Sequence, residues 1–174
     1  MTQPAEAKPL GLPIPWPENA EIKVHTGGCH CKKVRYEFEH PDIYVMPVMN
    51  CNCSICEDRG YLNVYTLKTK FRYTSGEDGL TQYQFGHHVV SHRFCSACGT
   101  SIGPIGAPGG PFDGVVVINT RTIDGVDLDR LEFKKRDGSV SLVIRASLLA
   151  VVDDATAVLL IARNVLLFFY AWCP

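Results

Sequence analysis

Residues 33–39 alternate polar and apolar side chains without a break, the signature of a strand with one buried face. Further short runs rich in β-branched and aromatic residues lie at 43–48, 61–66, 81–85, 89–94 and 114–119. Each is bounded by Gly, Pro, Asp or Asn, so each predicts a strand. Residues 75–79 (Ser-Gly-Glu-Asp-Gly) predict a turn. Residues 103–114 hold three prolines and five glycines and predict a loop. No helical period stands out before residue 120; residues 127–133 predict one short helix after an Asp124-Gly125 turn. The pattern predicts a mainly β body over residues 21–138.

Both ends depart from this pattern. Residues 1–20 carry five prolines and no apolar stretch of signal-peptide type, and predict a disordered or polyproline-like arm. Residues 139–174 hold four charged side chains, Arg145, Asp153, Asp154 and Arg163. Within them, residues 155–172 are nearly all apolar, which is the length of a membrane span. Arg163 and Asn164 sit at its centre, where an Arg costs roughly 2.5–3.5 kcal/mol on insertion. Membrane association is therefore not expected, and two readings of this hydrophobic extension stay open: a buried or partner-docking helix, or a stretch foreign to the domain.

The chain has 174 residues, 46% of them apolar and 20% charged, an ordinary globular balance for one domain. A formal charge of -1 argues against a general polyanion binder, so nucleic acid is not an expected partner. Cysteine changes the picture. Seven of the eight cysteines fall in three short motifs: Cys29-x-Cys31, Cys51-x-Cys53-x-x-Cys56 and Cys95-x-x-Cys98; Cys173 stands alone in the tail. With no expected route to an oxidising compartment, such spacings read as metal ligands or catalytic thiols, and the expected location is the cytoplasm, with the nucleus as alternative.

A tetrahedral zinc is served by two thiolates from one tight turn and two from elsewhere. Keeping the motifs whole, one division yields a four and a three. Cys29, Cys31, Cys95 and Cys98 make a closed four-thiolate site. Cys51, Cys53 and Cys56 make a three-ligand site with one position open, the pattern of a catalytic zinc. The expectation is two zinc ions per chain. His92 or His30 closing the second site, which would make it structural, is the alternative.

The motifs resemble those of the glutathione-dependent formaldehyde-activating enzyme family, which also includes centromere protein V. Gly27-Gly28-Cys29-His30-Cys31 with Val34-Arg35-Tyr36-Glu37 resembles its first motif, and Cys51-x-Cys53-Ser54-x-Cys56 its second. Phe85-Gly86 with His92-x-Phe94-Cys95-x-x-Cys98-Gly99 resembles its third. Asn119-x-Arg121 with Asp124-Gly125 resembles its C-terminal signature. The resemblance covers about residues 21–138. It implies a mainly β, zinc-ribbon-related fold of the Mss4-like type. It also implies a carbon–sulfur lyase that adds glutathione reversibly to formaldehyde. By the same resemblance the first and third cysteine pairs bind a structural zinc, and Cys51, Cys53 and Cys56 a catalytic one. The rival function is a non-catalytic zinc module that binds protein or chromatin, as centromere protein V suggests.

Other residues stay two-sided. Arg35, Arg93 and Arg121 can bind a substrate carboxylate or serve as surface or paired arginines on strands. Asn119 can cap a turn or line a cleft. Lys134-Lys135-Arg136 reads as a solvated face, and His87-His88 as a loop pair.

Overall fold

The computed structural model describes residues 11–139. Those up to Arg136 belong to one compact unit. It is mainly β, as the pattern predicts, with ten strands in two sheets. The strands are β1 (Ile22–Gly28), β2 (Arg35–Pro41), β3 (Val48–Cys51), β4 (Asn63–Leu67), β5 (Phe71–Ser75), β6 (Leu80–Tyr83), β7 (Val90–Cys95), β8 (Ser101–Gly106), β9 (Val115–Asn119) and β10 (Phe133–Arg136). The smaller sheet runs β1-β2-β5 and the larger β10-β3-β4-β9-β8-β7-β6. All described pairings are antiparallel except β10 with β3.

The two sheets share one core. The alternation seen over residues 33–39 places Tyr36 and Phe38 inward from β2, where they meet Val64, Ile102, Val116 and Ile118 of the larger sheet. Thr66 Oγ1 donates to the Glu39 carbonyl at 2.8 Å, joining β4 to β2. The Tyr36 hydroxyl and Thr122 Oγ1 share a buried hydrogen bond of 2.7 Å. Beside it, Gly27 pairs with Ile123 in an isolated bridge. Asp124 then receives two bonds from the Arg35 guanidinium, one of them 3.0 Å long, and one of 2.7 Å from Thr26 Oγ1. The pairing with Arg35 holds the Asp124 carboxyl down at about 2. The Gly27-Gly28 and Asp124-Gly125 motifs, far apart in sequence, thus form one junction.

Several expectations are corrected. Residues 43–48 form a turn, because Asp42 Oδ1 accepts from Tyr44 N at 3.0 Å and Asp42 O accepts from Val45 N at 3.1 Å; the strand starts only at Val48. Of the Pro/Gly-rich segment expected to be a loop, residues 103–106 belong to β8, because glycine at 103 lets β9 lie close, while residues 107–114 form turns as expected. A Cβ on Gly103 would lie 2.3 Å from the Val117 carbonyl oxygen. The expected helix over 127–133 is a single 3-10 turn, Leu128–Arg130, capped by Asp127, followed by β10. The basic triplet Lys134-Lys135-Arg136 lies on that edge strand, where charge discourages further pairing.

The described part of the expected arm, from Gly11 on, is not free. Ile14 is buried with Met46, Met49, Tyr65 and Val115, and Leu12 and Trp16 pack against the same cluster. Alternate apolar side chains on an extended, proline-stiffened backbone cover one flank of the sheet, which outweighs its polyproline composition. The apolar extension and Cys173 lie outside the described residues. Among the described residues no helix is long and apolar enough to cross a membrane.

The junction makes a sharp prediction. A Cβ on Gly27 would lie 2.3 Å from the Tyr36 hydroxyl and 2.4 Å from the Thr122 carbonyl oxygen. Gly27→Ala is expected to lower stability by about 2–3 kcal/mol, as overpacking of a tight core does. Denaturant unfolding at saturating zinc measures it.

Candidate metal centre

The first cluster is built from two tight turns. After β1 the chain reverses in five residues: Cys29 N donates to Val34 O at 3.0 Å and Lys32 N to Cys29 O at 3.1 Å. Val34 N also points at Cys29 Sγ, 3.3 Å away. Closing this turn puts Lys32 at φ 64°, a conformation that costs a non-glycine residue roughly 1–2 kcal/mol. The second turn follows β7. Gly99 N donates to Cys95 O at 2.8 Å and Cys95 N to Thr100 O at 3.0 Å. Thr100 Oγ1 joins the turns, accepting from His30 N at 3.1 Å and lying 3.2 Å from Cys98 Sγ. Hydrogen bonding from Thr100 holds the Cys98 thiol down at about 5.

The turns bring Cys29, Cys31, Cys95 and Cys98 together with all four sulfurs within 4.8 Å of one another. Cys29 and Cys31 are 3.4 Å apart and Cys31 and Cys95 3.8 Å. Sulfurs placed about 2.3 Å from a tetrahedral zinc lie about 3.8 Å apart, so the donor set fits that ion.

The second cluster lies where β3 ends. Cys51 is its last residue, Cys53 is the N-cap of a one-turn helix, α1 (Ser54–Asp58), and Cys56 sits inside that turn. A five-residue helix is too short to show a hydrophobic period, so the sequence pattern missed it. Cys56 N and Glu57 N both donate to Cys53 O at 3.0 Å, and Asn52 N donates to Arg136 O of β10 at 3.1 Å. The three sulfurs lie within 4.8 Å of one another. Asn63, which no motif pointed to, aims Nδ2 at Cys56 Sγ from 3.7 Å.

With no cation between them, three such close thiols do not all ionise. The hydrogen bond from Cys56 holds Cys53 down at about 5, and keeping that proton for Cys53 pushes Cys56 up. A divalent ion removes the conflict by stabilising all three thiolates.

Among the described residues no His, Asp or Glu joins either cluster. His30, the first candidate fourth ligand, is exposed. His92, the second, is buried on β7 between the rings of Tyr61 and Phe85. Two of the three arginines have hydrogen-bond partners elsewhere in the fold, and buried Arg93 has Nε and Nη2 without one among the described residues. Arg35 is bonded to Asp124, and Arg121 Nε donates to the Gly60 carbonyl at 3.0 Å. Arg93 is buried over the rings of Phe71 and Tyr73, at 5.6 and 5.1 Å. Asn119 caps a turn: its Oδ1 accepts from Arg121 N at 3.3 Å and Leu62 N at 3.4 Å.

A crystal structure of a Rhodobacter sphaeroides protein, a structural-genomics target, is similar to this chain. The two share 28% sequence identity and a TM-score of 0.56, over 64% of this chain and 99% of that one. The profile of the glutathione-dependent formaldehyde-activating enzyme family matches residues 24–136, a span that holds both sulfur clusters and the Asp124 junction. Matched over more than half its length, the chain belongs to the glutathione-dependent formaldehyde-activating enzyme family.

Proposed function

We propose that the protein is a zinc-dependent carbon–sulfur lyase that joins glutathione, or a related thiol, to formaldehyde or another small carbonyl and releases it again. The observation that carries this is the unequal division of sulfurs, four in one cluster and three in the other, with no fourth side-chain donor among the described residues at the second. Family membership supports the same chemistry.

In this reading Cys29, Cys31, Cys95 and Cys98 hold a structural zinc. Cys51, Cys53 and Cys56 would hold the catalytic one, which when bound would supply a charge that stabilises a substrate thiolate at neutral pH and polarises a carbonyl oxygen. The residues around it set the geometry: the α1 turn fixes Cys53 against Cys56, and Asn63 holds the Cys56 sulfur. In the forward direction the thiol loses its proton, a carbon–sulfur bond forms at the carbonyl carbon, and the carbonyl oxygen gains a proton. Release reverses each change. Three thiolates leave a site of formal charge -1 with a divalent ion, so its Lewis acidity is modest. That suits an equilibrating thiol–aldehyde adduct better than attack on an amide. The seven cysteines among the described residues are free thiols, which suits a reducing compartment such as the cytoplasm.

Elemental analysis is expected to find two zinc ions per folded chain. Structural zinc contributes roughly 10–16 kcal/mol in small modules, comparable to the whole stability of a domain. Cys98→Ser is therefore expected to unfold the body, whereas Cys53→Ser keeps the fold and loses one zinc, read by circular dichroism and metal content. Equal unfolding of both variants would overturn the division of roles.

The chemistry is tested by NMR exchange of S-hydroxymethylglutathione. The protein is expected to speed exchange between adduct and free formaldehyde, and Cys56→Ser to abolish the acceleration while keeping the four-sulfur zinc. An exchange rate indifferent to the protein would favour the non-catalytic, protein- or chromatin-binding module instead.

The domain itself is proposed to end near residue 138. A chain cut after Gly138 keeps Arg136, whose carbonyl binds Asn52, and is expected to remain folded and zinc-loaded. Loss of metal from the shortened chain would move the boundary into residues 139–174.

A further inference from the structure

Beside the three-sulfur cluster lies a set of side chains that the chemistry above leaves unused. Arg59 follows Cys56 by three residues, so the α1 turn carries both; Arg59 N donates to Ile55 O at 3.2 Å. Its guanidinium rests on the Phe94 ring, 5.0 Å from the centroid, and Nη1 reaches Ser101 Oγ at 3.4 Å. No carboxylate among the described residues pairs with it; the four ion pairs there use Lys23, Arg35, Lys70 and Arg72.

Next to Arg59 stands His92. It is 5% exposed, and among the described residues neither ring nitrogen has a hydrogen-bond partner. Its ring is stacked between Tyr61, at 5.8 Å, and Phe85, at 5.6 Å. Tyr61 begins where α1 ends, its N–H donating to the Cys56 carbonyl at 2.8 Å. The contacts of His92 and Phe94 place both on the face of β7 that meets α1, while Arg93 packs against the smaller sheet. A guanidinium without a carboxylate partner and a buried imidazole without a hydrogen-bond partner therefore lie along one aromatic wall, with Arg59 and Tyr61 close in sequence to Cys56. A buried polar group left without a partner is costly, so such a group points to a ligand that supplies one.

We propose that Arg59 and His92 form the subsite for a carboxylate of the substrate thiol, making them specificity-determining residues for anionic thiols such as glutathione. Arg59 supplies the charge and an N–H fork that matches a carboxylate. His92 supplies one N–H. Burial first, and the Arg59 charge second, hold its pKa down to about 4, so at neutral pH it is an uncharged donor and does not compete with Arg59 for the anion. Tyr61, Phe85 and Phe94 form the walls. The acidic pair before Arg59, Glu57 and Asp58, is exposed.

This inference rests on the thiol-binding reading of the three-sulfur cluster, and one experiment separates the two. The zinc-loaded full chain is titrated calorimetrically with glutathione and with glutathione diethyl ester, which keeps the thiol and masks both carboxylates. Glutathione is expected to bind at least about tenfold more tightly than the diester, the scale of a charge-assisted hydrogen bond. Arg59→Gln, at an exposed position, is expected to bring that ratio close to one, and Arg59→Lys to restore part of it. His92→Phe keeps the stacked ring, removes both nitrogens, and is expected to lower the ratio as well. Equal binding of the two ligands by the wild type, or a ratio that survives Arg59→Gln, overturns the subsite alone. Failure of both thiols to bind overturns the subsite together with the thiol-binding reading.

Discussion

Two turns, separated by more than sixty residues, must deliver four sulfurs to within 4.8 Å of one another; the rest of the molecule is arranged to make that closure hold. Close thiolates repel, so the approach is stable only when backbone bonds shape each turn and a cation neutralises the sulfurs. Here backbone hydrogen bonds shape each turn. Cys29 and Cys95 are each 1% exposed and sit in the core with Tyr36, Phe38 and Ile102. Thr100 ties one turn to the other. The first cluster is thus continuous with the hydrophobic core, and its loss would open the seam between the sheets.

The second cluster has a different setting. It hangs from the end of β3 on a single helical turn, with Cys53 and Cys56 only partly buried. Its supports are Asn63 at one sulfur and the β10 edge strand behind Asn52. Both clusters use the same kind of donor, one tied into the core through Cys29 and Cys95, the other carried by the end of β3 and the α1 turn.

Arg35, Arg93 and Arg121 lie within motifs, yet each is engaged inside the fold: with Asp124, with two aromatic rings, and with the Gly60 carbonyl. Arg59 belongs to no motif; its guanidinium rests on Phe94 and reaches Ser101, with no carboxylate partner among the described residues.

Ligand spacing and strand period were legible in the chain itself. Metal chemistry requires pairs of thiolates from single turns, so the cysteine motifs and their division into four and three could be read directly. A half-buried strand requires strict alternation, so residues 33–39 announced β2. The remainder depended on contacts between distant residues. Gly103 reads as a loop breaker until β9 is seen lying against it, and Pro13, Pro15 and Pro17 read as a free arm until Ile14 is seen buried beside Tyr65. Asp127 reads as a helix start until its side chain is seen closing a single turn ahead of β10. The meaning of Arg59 and His92 is of the same kind. Nothing local distinguishes them from any arginine or histidine; only the packing of Arg59 and Tyr61 against β7 sets one on Phe94 without a carboxylate and leaves the other without a hydrogen-bond partner among the described residues.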